Sequence, residues 1–133
     1  MKFLLISLVA ALVISCNPSA TEKKLKGCDS LVITFNVPGT DSVLKTVQTT
    51  DTRAIQKLAG FMNGKSTAAF KCGYDGNLLF FKGGKQVMPV VFRYTDADCR
   101  HFVYDLDNKV MYTSMSKEAA DFLQSLAEGR NSY

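Results

Sequence analysis

The chain has 133 residues, 21% of them charged, and a formal net charge of +4. This length suits one small domain with a single core. Its basic residues are scattered, with no stripe interleaved with aromatics, which excludes nucleic acid as a partner class.

The first residues carry one charge, Lys2, then an apolar run from Phe3 to Val13. A basic start, a short apolar run and small residues before a cut describe a secretory signal peptide. A spanning helix needs about 20 apolar residues, and polar residues follow here at once, from Asn17 to Lys24. Val13-Ile14-Ser15-Cys16 reads apolar, apolar, small, Cys, and resembles the lipobox of bacterial lipoproteins. The resemblance covers residues 1–16 alone, and Val13 stands where that family most often has Leu. It implies a diacylglycerol on the Cys16 thiol, a cut just before Cys16, and acylation of the new amino group. Each buried methylene is worth about 0.8 kcal/mol, and a single acyl chain binds reversibly, so two or three chains on one cysteine give a lasting anchor. Asn17 is not the Asp that marks inner-membrane retention in some members of that family. The expected place is therefore the outer membrane, facing the periplasm. The plainer alternative is a secreted protein in which Cys16 pairs with another cysteine.

Losing residues 1–15 leaves 118 residues, with fifteen basic and twelve acidic side chains. Residues 16–27 read as the lipidated Cys and a flexible tether, because Leu25 is the one apolar residue of size in a polar stretch. Lys23, Lys24 and Lys26 cluster in this stretch, which reads first as a solvated linker and second as a contact with anionic headgroups. The domain itself is expected over residues 28–133.

From Ser30 the chain alternates, with Leu31, Ile33, Phe35 and Val37 on one side, the pattern of a half-buried strand. Val37-Pro38-Gly39-Thr40 suits a type II turn, and a second strand follows over residues 42–48. Thr50 or Asp51 can cap a helix, along which Ile55, Leu58, Ala59 and Met62 form one stripe. Asn63-Gly64 ends it. That stripe is read as core packing rather than as a partner groove.

Residues 71–113 read as a meander. A turn-prone loop over 71–76 leads into a strand at Leu78–Phe81, and Gly83-Gly84 supplies a two-residue hairpin turn. The return strand, 86–94, contains Pro89, which has no N–H to donate and belongs at an edge or bulge. Residues 99–106 alternate again, Asp107-Asn108 turns the chain, and 109–114 is the last strand. Ser116 then caps a helix with an Ala119, Phe122, Leu123, Leu126 stripe, closed by Gly129.

With Cys16 lipidated, three cysteines remain: Cys28, Cys72 and Cys99. In a meander the first and third strands start at the same end of the sheet, about 10 Å apart. A disulfide needs Cα atoms about 4.4–6.8 Å apart. Cys72 precedes its strand in a glycine-rich loop that can fold over and reach Cys99, so Cys72–Cys99 is the expected pair. Cys28 is then left as a free thiol.

Cys99 and His101 share a strand face, and Cys72 or Cys28 could add a third metal ligand. The paired spacing of structural zinc motifs is missing, however, and His101 is the chain's one histidine. The Asp96/Asp98 and Asp105/Asp107 pairs fail as calcium loops: counted from Asp105, positions five, six and twelve are Lys109, Val110 and Ser116. These aspartates read as turn residues.

The expected fold is α+β, a mostly antiparallel sheet in the order ββαββββα with two helices on it. The mature domain resembles no named enzyme family, and no GxSxG element is present. The functional expectation is a small non-catalytic lipoprotein, without cofactor or metal. It would be held at the membrane through Cys16 and would bind or support another envelope component. The alternative is a metal- or thiol-dependent site built from Cys28, Cys72, Cys99 and His101. A groove lined by exposed Tyr74, Tyr94 and Tyr104 would favour the first, and convergence of the Cys and His side chains the second.

Overall fold

The computed structural model describes residues 19–69 and 71–130. The signal run, Cys16 and Asn17 lie outside them. Nine elements follow in order: α1 (Ala20–Leu25), β1 (Ser30–Asn36), β2 (Val43–Thr49), α2 (Thr52–Phe61), β3 (Gly76–Lys82), β4 (Lys85–Arg93), β5 (His101–Leu106), β6 (Lys109–Ser114) and α3 (Lys117–Ala127). The six strands form one sheet in the order β2-β1-β3-β4-β5-β6, and every pairing is antiparallel. The α+β class and the antiparallel sheet agree with the sequence reading. The structure departs from it in having three helices.

The extra helix, α1, occupies the stretch expected to be tether. Ser19 caps it by accepting from the Glu22 N–H. Thr21 and Leu25, four residues apart on one face, are buried. Thr21 hydrogen-bonds the Tyr104 hydroxyl at 3.1 Å, while Ser19 and Glu22 both bond Asn63 just past the end of α2.

One face of the sheet carries the core. Leu31, Ile33 and Phe35 of β1, Leu78 and Phe80 of β3, Met88, Val90 and Phe92 of β4 and Phe102 and Tyr104 of β5 are all buried. They form one cluster with the helix residues Leu25, Ile55, Leu58, Met62, Phe122, Leu123 and Leu126. All three helices therefore cover the same face. The middle one, α2, meets α1 through Asn63 and α3 through a Phe61–Phe122 ring contact at 5.8 Å.

Turn chemistry follows the sequence. Thr40 N–H donates to Val37 O and Gly39 has φ +74°, as a type II turn requires. Gly83-Gly84 and Asp107-Asn108 have positive φ at both positions, the signature of tight hairpins. Pro89 lies within the sheet rather than on an outer edge. Pairing with β5 runs only from Val90 to Arg93, and β4 bulges at Val87, where the register with β3 shifts between Phe80 and Phe81. Pro89 thus sits between a bulge and the end of a ladder, where a missing N–H costs no strand bond. At Gly76 a side chain is impossible: a Cβ would collide with the Thr34 carbonyl oxygen and stand 2.8 Å from Phe92 Cζ.

Candidate functional site

The register defines two ends. Ser30 at the start of β1 pairs with Phe81 at the end of β3, so the α1–β1 junction meets the β3–β4 turn. At the other end Phe35 pairs with Gly76, Gly76 with Phe92 and Phe92 with Phe102. The β1–β2 turn, the Cys72 loop and the start of β5 meet there.

The disulfide end is built on one carboxylate. Asp75 is 2% exposed and accepts from the Tyr94 and Thr95 N–H groups at 2.8 and 3.0 Å, from Thr95 Oγ1 at 3.0 Å and from Arg93 Nη1 at 3.3 Å. A buried charge requires such partners. Cys72 and Cys99 form the expected disulfide, with Cα atoms 6.3 Å apart. His101 is buried and its Nδ1 lies 2.6 Å from Cys99 O. The Tyr74 ring lies 6.1 Å from the imidazole. Burial raises the Tyr94 pKa, and the Asp75 and Glu128 charges add to the rise.

Large apolar side chains reach solvent at this same end. Val43 is 62% exposed, Leu44 59%, Tyr74 43% and Val37 37%. The turn at Gly39–Asp41 and the Cys72–Tyr74 loop share a depression of about 320 Å³ with Arg93. The three-tyrosine groove is not formed, because Tyr104 is buried and Tyr94 is packed against the core.

The opposite end holds Cys28. It is free and buried in the floor of a cleft of about 690 Å³ between α1 and α2, with Leu25, Ile55 and Ala59. Glu22, Lys23, Lys26, Asp29 and Gln56 line the cleft as well. Burial pushes the thiol pKa above its ordinary 9.0, Lys82 lowers it and Asp29 raises it. A thiol so placed is a poor nucleophile at neutral pH.

The four residues named as a joint metal or thiol site are therefore not together. Cys72, Cys99 and His101 lie at one end of the sheet and Cys28 at the other, and two of the thiols are spent on the disulfide. Among the described residues no three His, Cys, Asp or Glu side chains group to hold a metal, and no helix is long and apolar enough to cross a membrane. Sequence reasoning missed Asp75, which looks like one more turn aspartate until Tyr94 and Thr95, about twenty residues on, close around it. Comparison with protein-family models, curated proteins and solved structures finds no match to this chain.

Proposed function

We propose that this is a small, non-catalytic envelope lipoprotein, held in the membrane by acyl chains on Cys16. Its domain binds or supports another envelope component through the end of the sheet that carries the disulfide. The outer membrane, facing the periplasm, is the proposed location. The observation that carries the partner role is the exposure of Val37, Val43, Leu44 and Tyr74 together around one turn and one stapled loop. Exposed apolar side chains gathered at one place mark contact surfaces on soluble domains. The disulfide and the Asp75 network hold the backbone there in one shape, which lowers the ordering cost of binding.

A photo-crosslinking side chain at Leu44, activated in intact cells, tests this. Leu44 is expected to give a discrete protein adduct, while the same probe at Asp121, exposed on α3, gives none. Equal yields at both positions would remove the proposed surface. The intact mass of the membrane-extracted protein reads the anchor independently: a chain beginning at Cys16 plus acyl chains is expected.

A thiol-dependent role is the second reading; with Cys72 and Cys99 paired it would rest on Cys28, which lines the cleft. Selective loss of function on alkylating Cys28 with the fold intact would bring it forward.

A further inference from the structure

Lys23 and Lys24 stand in the last turn of α1 and Lys26 caps it. Lys82 and Lys85 flank the Gly83-Gly84 turn and pair across it. The two groups, far apart in sequence, meet where the end of α1 reaches the β3–β4 turn. Lys82 Nζ donates to Lys26 O at 3.1 Å, and a Cβ on Gly27 would lie 3.1 Å from Lys82 Cε. All five are exposed. The two acids beside them are already engaged: Glu22 with Asn63, and Asp29 with the Gly83 N–H at 3.0 Å.

Beyond residue 15, the other ten basic side chains are matched by ten acidic ones. The register also brings to this end the β5–β6 turn, with Asp105, Asp107 and Lys109, and the start of α2, with Asp51 and Arg53, so the end keeps an excess of basic side chains, seven against five. Five lysines held together repel one another unless an anionic surface faces them. The sequence interval adds a second constraint. Ser19, the α1 cap, comes three positions after Cys16, a reach of about 10 Å at full extension. A helix begins where a free tether was expected, so little chain remains to carry the domain away from its anchor.

We propose that this basic end lies against anionic lipid headgroups and fixes the domain at the membrane, with the apolar end directed away from it. The position rests on the anchored reading above; the surface itself depends only on the lysines. Each lysine near an anionic surface contributes roughly five-fold to binding.

Protein extracted from membranes and reconstituted in vesicles of phosphatidylcholine, with or without phosphatidylglycerol, tests this by hydrogen–deuterium exchange. Backbone amides of residues 21–29 and 82–86 are expected to slow several-fold only with phosphatidylglycerol present. The effect should vanish in about 0.5 M salt, where the screening length falls to a few ångströms. The double variant Lys24→Glu/Lys85→Glu should lose it as well, with core exchange unchanged. Protection that ignores phosphatidylglycerol, or that appears only at the Leu44 end, overturns the proposal. The two readings fail separately. An acylated chain without lipid-dependent protection sinks this inference and leaves the anchor. A chain without acyl groups sinks the anchor, and its sedimentation with phosphatidylglycerol vesicles then decides the surface.

Discussion

A single carboxylate closes one end of this molecule. Asp75 joins β3 to Arg93 at the end of β4 and to the residues just after it. Asp75→Ala leaves the Arg93 guanidinium and two backbone N–H groups in a poorly solvated place. Removing one partner of a buried pair costs about 3–5 kcal/mol, so urea unfolding should show a loss of that size. A loss below about 1 kcal/mol would mean that water replaces the carboxylate. Cys28 supports a prediction in pH. Its folded pKa is raised above 9.0, mainly by burial, so the unfolded chain gives up its proton first. The native state is then fully favoured below about pH 9 and loses ground as pH climbs through the folded value. Stability is expected to fall in this alkaline window, and less steeply in Cys28→Ala. Tyr94, also raised, sustains part of the fall at higher pH. Iodoacetamide labelling of Cys28 in the native protein should show a midpoint above 9.0.

At the scale of elements, the strands and the two longer helices are legible because their signals are local. Alternation over Leu31, Ile33 and Phe35 is satisfied by one buried face, and Asp51 and Ser116 cap α2 and α3 through their own side chains. The reading fails where distant residues decide. The α1 stretch is polar and short, and isolated helices of that length are unstable in water. It forms because Thr21 finds Tyr104, eighty-three residues away, and because Leu25 enters the core. Alternation also breaks in β5, where His101 and Phe102 are adjacent yet both fully buried, since the Cys72 loop places Tyr74 beside the imidazole. The two readings of α1 differ in a measurable way. Leu25→Ala should cost about 2–5 kcal/mol as a core truncation; a free tether would lose nothing. The free edges differ too. The outer edge of β6 is covered by residues 65–67, through Ser114 N to Lys65 O and Thr67 N to Tyr112 O. Among the described residues the outer edge of β2 has no strand beside it, and Lys45 in the middle of that strand donates to Leu126 O at the end of α3. A lysine on an edge strand discourages further strand pairing. Lys45→Val is therefore expected to make the purified protein associate at high concentration, read by sedimentation velocity.

Across the whole molecule, the lysine cluster and the Val37, Val43, Leu44 and Tyr74 side chains stand at opposite ends of a sheet whose strands of about seven residues span roughly 23 Å, while Val110, 51% exposed, lies beside the β5–β6 turn at the lysine end. Position in the sequence shows none of this, since Lys26 and Lys82, or Asn36 and Asp75, meet only through the fold. Two cross-links secure the apolar end. The disulfide spans a separation of 27 residues, and the chain-entropy model assigns such a closure about 3–4 kcal/mol. Asp75 ties the same two segments from inside that loop, three residues after Cys72 and a few before Cys99. The two restraints should therefore be coupled. With the disulfide intact, Asp75→Ala strands Arg93 and the N–H groups in a loop that cannot move. In Cys72→Ala/Cys99→Ala the loop can open and let water reach them, so the same substitution costs less. The combined loss should fall short of the sum of the separate losses by about 0.5–3 kcal/mol in a double-mutant cycle. Additive losses would show that the carboxylate and the disulfide hold independent parts of this end.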